Sequence, residues 1–269
     1  MSKRRKTIYT SWSMPDPARN YVPLPKSIYR IGLSGEEIAI YGYLFSLEPM
    51  TSLKDYFDVF MVKAVSLDNV ISTSTVTAFE SVFDPEGSTL ITGNDQKCVE
   101  YAAKVIQDEK RMDDALILVI LNDGRYAGTC SLSVTQPLNG APRGKSVAYI
   151  PMVDPKKYST TFERVLHHEA IGHGLGKLDD EYGSESSYYE SNGSILDNAE
   201  ALADLKAWQL CFALLNVTLE SDVLKSPWAD FYKNSLYASE KLDVYEGAST
   251  FPKGVYRPTY ESLMRSGDK

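Results

Sequence analysis

The spacing of hydrophobic positions changes along the chain between a helical and a strand period, which predicts an α/β domain. Apolar residues recur at helical spacing in four segments, and we expect helices over residues 34–45, 95–110, 159–175 and 198–215. Runs of β-branched, aromatic or continuous apolar residues predict strands over residues 58–65, 115–121, 126–135 and 146–151. The unbroken apolar run at 115–121 is typical of a strand covered on both faces, whereas the polar alternation at 126–135 indicates a sheet edge.

The first part of the chain differs from the rest in its prolines. Pro15, Pro17, Pro23 and Pro25 follow one another closely, and proline lacks the backbone N–H that a helix interior needs. We therefore expect residues 1–30 to form an extended arm. No linker-like composition follows, so residues 31–269 are predicted to form a single domain of catalytic size.

Composition and charge exclude several classes of protein. Hydrophobic residues make up 43% and charged residues 24% of the 269 residues, which is typical of a globular chain. The net charge of −8 disfavours nucleic acid or an anionic membrane as the main partner. No apolar run reaches the ~18 residues of a membrane span, and no apolar segment follows the basic start, so we expect no secretory signal in this chain. The odd, scattered set Cys98, Cys130 and Cys211 predicts buried free thiols.

The candidate chemistry is concentrated in one predicted helix. The chain has three histidines, and His167, His168 and His173 all lie between residues 159 and 175. Neutral imidazoles are good zinc ligands, and a glutamate beside a metal site, here Glu169, is a ready general base. We expect the glycines at 174 and 176 to end the helix and turn the chain back. That return would bring the acidic residues 179–181 toward the metal as a third ligand.

The spacing of the two candidate ligands does not suit a regular helix. His168 and His173 are five positions apart, and five steps of about 100° leave two side chains roughly 140° apart. We predict a π-type bulge within residues 170–172, which would return both imidazoles to one face. The alternative is a decayed motif and an inactive site. Taken alone, the acidic run 179–181 fits a solvated turn or, less well, a calcium site.

Several motifs together resemble one known family. They are Leu44–Pro49 with Tyr56–Phe60, the strand before Asn122-Asp123, Gly172–Leu175 running into Leu178–Tyr182, and Tyr245–Ala248 through Gly254–Pro258 to Ser262–Arg265. In these motifs the chain resembles the IgA-peptidase family of metzincin-like zinc metallopeptidases, which are mostly secreted bacterial proteins. The resemblance implies a mixed twisted sheet with an active-site helix and a backing helix. It also implies a secreted or cell-envelope location.

The resemblance further implies particular roles for site residues. His168 and His173 would bind Zn²⁺ with Asp180 as the third ligand and Asp179 as its rival, and Glu169 would be the catalytic base. Met264 would belong to the Met-turn beneath the metal. Because relatives continue beyond the position of Lys269, we also expect a truncated C-terminus.

The function that follows is a zinc-dependent endopeptidase acting on extracellular proteins, with immunoglobulin A suggested only by the family's name. We expect the edge strand around Tyr126–Thr129 to pair with a protein or peptide substrate in extended form, with Gly128 leaving room for its approach. Tyr256 or Tyr260 could stabilise the oxyanion, and Arg257 is either functional or structural. The alternative function is a catalytically inactive pseudo-peptidase that serves as a binding or adhesion module.

Overall fold

The computed structural model describes residues 79–138, 141–183 and 193–266, all within the compact unit Val65–Lys269. The predicted arm, the helix over 34–45, the strand over 58–65 and the resemblance motifs at 44–49 and 56–60 lie outside these residues. The described chain is a mixed α/β structure with small sheets and few helices. None of its helices combines the length and the apolar character that a bilayer crossing requires.

Runs of strands and runs of helices follow one another along the described chain. The strands are β1 (Val82–Phe83), β2 (Ile91–Thr92), β3 (Leu116–Leu121), β4 (Thr129–Leu132), β5 (Thr135–Leu138), β6 (Ala141–Arg143), β7 (Ser146–Pro151), β8 (Tyr245–Ala248) and β9 (Phe251–Arg257). The α-helices are α1 (Asp95–Ala103), α2 (Glu109–Met112), α3 (Phe162–Leu166), α4 (Ala199–Leu210), α5 (Ala229–Lys233) and α6 (Leu263–Ser266). A π-helix spans His167–Leu175, and 3₁₀-helices span Ile195–Asp197, Val223–Lys225 and Ser235–Glu240.

The site is built on a three-stranded mixed sheet with the order β3–β7–β4. β7 is central and buried along its whole length, parallel to β3 and antiparallel to β4. This confirms the predicted strand at 146–151, and among the described strands β4 has the edge position predicted within 126–135. The run at 115–121 was predicted to be covered on both faces, and β3 does contact both α1 and the π-helix, which lie on opposite faces of the sheet. Among the described strands β3 is also an outer strand, and Val119 is its one fully buried residue.

Two predicted helices differ in extent from the prediction. The helix expected over 95–110 divides into α1 and α2, because the β-branched Val105 and Ile106 favour helix weakly. α4 begins at its cap, where the Asn198 side chain accepts a hydrogen bond from the N–H of Ala201, as the start at 198 predicted. It ends at Leu210 rather than 215, because Phe212 and Leu214 adopt left-handed conformations that cannot continue a helix.

The two faces of the sheet carry different helices. On β7, the Ser146 hydroxyl donates to the Gly174 carbonyl in the π-helix at 2.9 Å. Tyr149, three positions along the strand, donates instead to the carboxylate of Asp95 in α1 at 2.7 Å and contacts Cys98. Because residues an odd number of positions apart point to opposite faces, the π-helix and α1 cover opposite faces of the sheet.

The core beneath α1 contains buried apolar side chains from the sheet and the helix: Ile91, Cys98, Val119, Ala127, Val147 and Tyr149. Cys98 is therefore a buried thiol, as predicted. Cys130 and Cys211 were predicted to be buried as well, but they are only half-buried. All three cysteines are free. A second core joins α4 to the β8–β9 hairpin.

Candidate metal centre

The predicted bulge exists, and it is longer than the sequence suggested. α3 begins at Phe162, after the N-cap residue Thr161, whose hydroxyl accepts from the N–H of Arg164, and from His167 it continues as a π-helix to Leu175. At its end the N–H of Gly176 donates to the carbonyl of Ile171, five residues back, at 2.8 Å. The prediction of π geometry within 170–172 is confirmed, although the distortion spans nine residues rather than one turn.

The π-helix makes neighbours of two histidines that a regular helix would separate. The His168 and His173 rings lie 4.8 Å apart between centroids, at an interplanar angle of 89°. Their Nε2 atoms are 3.2 Å and 3.3 Å from Oδ1 of Asp180. His167 is exposed and lies outside this group. His168, His173 and Asp180, called here the triad, place one ligand atom each within 4.8 Å of the others.

The structure distinguishes Asp180 from its rival Asp179. The Asp179 carboxylate accepts the backbone N–H of Asp180 at 2.9 Å and takes no part in the triad. Burial raises the pKa of Asp179 to about 6. Glu181 is also buried and faces elsewhere, since its carboxylate accepts from Ser262 Oγ at 2.6 Å and from Asn216 Nδ2 at 3.0 Å. The acidic run is therefore not a solvated turn, and only Asp180 joins the triad, which leaves little basis for a calcium site.

Hydrogen bonds on the far side of each imidazole fix which nitrogen points into the triad. His168 Nδ1 donates to the carbonyl of Leu263 at 3.0 Å, and His173 Nδ1 donates to that of Leu178 at 2.8 Å. Because a carbonyl only accepts, Nδ1 carries the proton and the Nε2 lone pair of each neutral ring is directed at Asp180. Beyond the two imidazoles, the buried Oδ1 of Asp180 has no hydrogen-bond partner among the described residues.

Three lone-pair atoms that converge in this way could hold a metal ion between them. Two imidazoles and one carboxylate are a common donor set for zinc, which leaves a fourth position for water or substrate. Tetrahedral ligands ~2.0–2.1 Å from one zinc ion would lie about 3.3 Å from each other. The two Nε2–Oδ1 distances agree with that separation. The residues present therefore fit a zinc ion.

Without a metal the same convergence changes the pKa values of the triad. Burial lowers the pKa of His173, but the hydrogen bond to Asp180 and the charges of Asp180 and Glu169 outweigh it and raise that pKa to about 9. Burial opposes ionisation of Asp180, yet its hydrogen bonds to both histidines hold its pKa well below the usual range. The site thus favours positive charge at its centre.

Glu169 lies beside the triad, and a glycine in the neighbouring strand segment makes room for it. The Glu169 side chain is buried, and burial raises its pKa against the opposing effect of the two histidines. A Cβ on Gly128 would lie 2.6 Å from Glu169 Oε1. The space at Gly128 was predicted to admit substrate, and this is wrong because the Glu169 carboxylate occupies it. The Gly128 N–H is also used, donating to Thr89 at 3.1 Å.

Met264 forms the floor of the site. It is 2% exposed, and a Cβ on Gly172 would lie 2.1 Å from its Sδ atom, so the π-helix rests directly on it. The Met264 carbonyl accepts the N–H of Glu181 at 2.9 Å, and this hydrogen bond links the acidic segment 179–181 to α6. The structure therefore places Met264 under the helix that carries both histidines.

The turn after the π-helix differs from the prediction. Gly174 lies inside the helix, where a Cβ would meet Leu116 at 2.5 Å, and Gly176 keeps a right-handed conformation. Lys177 makes the turn with φ of 51°. Its side chain is buried, and its amine donates to Ser146 Oγ and to the Gly174 carbonyl. Sequence reasoning missed this lysine, because a basic residue after a helix is usually solvated.

A tyrosine at the site was also missed. Tyr182 donates its hydroxyl to Asp180 Oδ2 at 2.9 Å. Tyr182 follows Asp180 by two positions. In extended chain this spacing puts two side chains on the same side, and it was the feature of the sequence that could have indicated the contact.

The tyrosines considered for the oxyanion have other contacts. Tyr260 is 63% exposed and packs against Tyr245, while the backbone of Tyr256 pairs with Thr218 in a β-bridge. Arg257 is buried, and its guanidinium donates to the carbonyls of Glu246 and Gly247 at 2.7 Å and 2.6 Å. These bonds assign Arg257 a structural role in the β8–β9 hairpin.

A scan against protein-family models finds no match for this chain, and a search of curated proteins finds none either. The family resemblance consequently remains an expectation, and function rests on the geometry of the site.

Proposed function

We propose that this protein is a zinc-dependent endopeptidase. The observation that carries the proposal is the convergence of His168 Nε2, His173 Nε2 and Asp180 Oδ1, with Glu169 beside them. Imidazole and carboxylate ligands suit zinc better than the hard cations calcium and magnesium, which prefer oxygen alone. The π-helix also supports the proposal, because such distortions concentrate at functional sites.

The chemistry that zinc supplies when bound is polarisation of the scissile carbonyl and a lowered pKa for the attacking water. Glu169 accepts the proton of that water and later donates it to the leaving amine. His168 and His173 keep their Nδ1 protons on backbone carbonyls, which holds each Nε2 free for the ion. The π-helix carries the two histidines, the segment 179–181 carries Asp180, and α6 lies beneath the π-helix. These three elements together fix the positions of the ligand atoms.

We propose that the fold of this domain is metzincin-like. The π-helix on one face of the mixed sheet would be the active-site helix, and α1 on the other face would be the backing helix. Met264 would be the methionine of a Met-turn. A secreted or cell-envelope location follows from the same resemblance.

The proposed substrate is a protein or peptide bound in extended form. β4 is an outer strand in the described part of the sheet and lies beside the π-helix. An extended peptide can add to such an edge through backbone hydrogen bonds. Because Gly128 already donates to Thr89, the pairing would use the strand beyond it, within Thr129–Leu132.

The test compares Glu169→Gln with wild-type protein. The amide cannot accept a proton, so this variant should retain zinc and lose cleavage of a peptide library, while chelator should abolish cleavage by wild type. Glu163→Gln, an exposed glutamate in α3, is the matched control and should keep full activity. Equal activity of Glu169→Gln and wild type would contradict the role of Glu169. Zinc binding with no cleavage by any of the proteins would favour the inactive binding module.

A further inference from the structure

The segment that carries Asp180 is held by its backbone on one side. The Asp180 carbonyl accepts the N–H of Ser249 at 2.8 Å, and the Tyr182 carbonyl accepts that of Thr250 at 3.0 Å. A β-bridge between Gly183 and Thr250 continues this pairing. In extended chain, residues two apart point to the same side. The backbone therefore presents the side chains of Asp180 and Tyr182 together.

This placement divides the two carboxylate oxygens of Asp180 between different partners. Oδ1 faces both histidine Nε2 atoms, and Oδ2 accepts the Tyr182 hydroxyl at 2.9 Å. A carboxylate can bind a metal through one oxygen or through both, and calcium sites commonly use the bidentate form. A hydrogen bond to Oδ2 favours ligation through Oδ1 alone, which is the mode that a four-coordinate zinc site uses.

We propose that Tyr182 is a positioning residue that makes Asp180 a single-oxygen ligand and so sets both the affinity and the coordination number of the metal. This inference rests on the metal centre of the proposed function, although it does not depend on peptidase activity. Partners that orient metal ligands typically contribute 10–100-fold in affinity. Tyr182 would therefore act through Asp180 without touching the ion.

The test uses Tyr182→Phe, which removes only the hydroxyl group. Tyr158→Phe is a matched control, because Tyr158 is also 36% exposed and contacts Tyr126 rather than the triad. Zinc affinity is measured on the metal-free full chain by competition with a chromophoric chelator. The visible absorption of the cobalt(II)-loaded proteins reports coordination number directly.

We expect Tyr182→Phe to bind zinc about 10–100-fold more weakly and to weaken and shift the cobalt bands toward those of a five-coordinate ion. Tyr158→Phe should match wild type in both measurements. The inference is overturned if Tyr182→Phe keeps the wild-type cobalt spectrum, even with weaker affinity, because a general loss of stability would explain that result. Failure of wild type to bind zinc would overturn the metal centre itself, whereas zinc binding without peptidase activity would refute only the proposed function.

Discussion

Replacing Gly128 by alanine should misplace the proposed catalytic base while sparing the metal ligands. The added Cβ would lie 2.6 Å from Glu169 Oε1, 2.9 Å from Glu169 Cγ and 2.9 Å from Val165 Cγ1. Ordinary carbon contacts are about 3.5–4.0 Å, so something must move by roughly 1 Å. Val165 is buried and β-branched, with one strongly preferred rotamer in a helix. The Glu169 side chain should therefore be displaced.

A displacement of this size in a catalytic group costs on the order of 10²-fold in rate. We expect kcat/KM on a cleaved peptide to fall by about that factor in Gly128→Ala, with zinc content unchanged. Overpacking should also lower the free energy of unfolding by about 1–3 kcal/mol. Gly193→Ala is the control, because the nearest atom to its Cβ is 3.9 Å away. Wild-type activity in Gly128→Ala would refute the assignment of this space to Glu169.

Three further predictions concern the helix and its supports. His173→Ala should lose zinc in elemental analysis, since two protein ligands remain, whereas the exposed His167→Ala should keep it. Gly172→Ala should unfold at lower urea concentration, because its Cβ would overlap Met264 Sδ at 2.1 Å and overpacking costs about 1–3 kcal/mol. The double variant with Met264→Ala should lose less stability than the sum of the two single losses, because the two side chains are in contact. Burial lowers the pKa of Lys177, so the unfolded chain binds that proton more tightly and stability should rise with pH just below the ordinary lysine pKa of about 10.4. Lys177→Met should flatten that rise in urea titrations at about pH 8 and pH 10, and an unchanged slope would contradict it.

Local spacing was sufficient to predict the helix that carries the site. The five-position separation of His168 and His173 is incompatible with 3.6 residues per turn if both bind one ion, and π geometry followed from that conflict. The period of two at 126–135 likewise predicted an edge strand. Both inferences concern residues close together in sequence.

The parts that the sequence did not predict depend on contacts between distant segments. The pairing of Asp180 and Tyr182 with Ser249 and Thr250 brings the Tyr182 hydroxyl to the carboxylate. The spacing of two residues is compatible with such a contact, but it does not show that the segment is held extended. The use of Gly128 as space for Glu169 likewise depends on how the π-helix packs across β4.

The helix ends at Leu175, as predicted, but the residue that turns the chain was predicted wrongly, for a related reason. Glycine is the usual left-handed residue after a helix, which favoured Gly174 and Gly176. Lys177 adopts that conformation instead, with its amine bonded to Ser146 Oγ and the Gly174 carbonyl. A glycine is needed at position 174, because a Cβ there would overlap the side chain of Leu116. Tertiary contacts thus outweighed the local preference.

The most direct test of the metal centre is a crystal structure of the zinc-loaded protein with anomalous data collected on both sides of the zinc absorption edge. We predict one anomalous peak within ~2.0–2.2 Å of His168 Nε2, His173 Nε2 and Asp180 Oδ1, with the π-helix retained from His167 to Leu175. A structure without a peak at that position, or with the two histidines on opposite faces of a regular α-helix, would contradict the account.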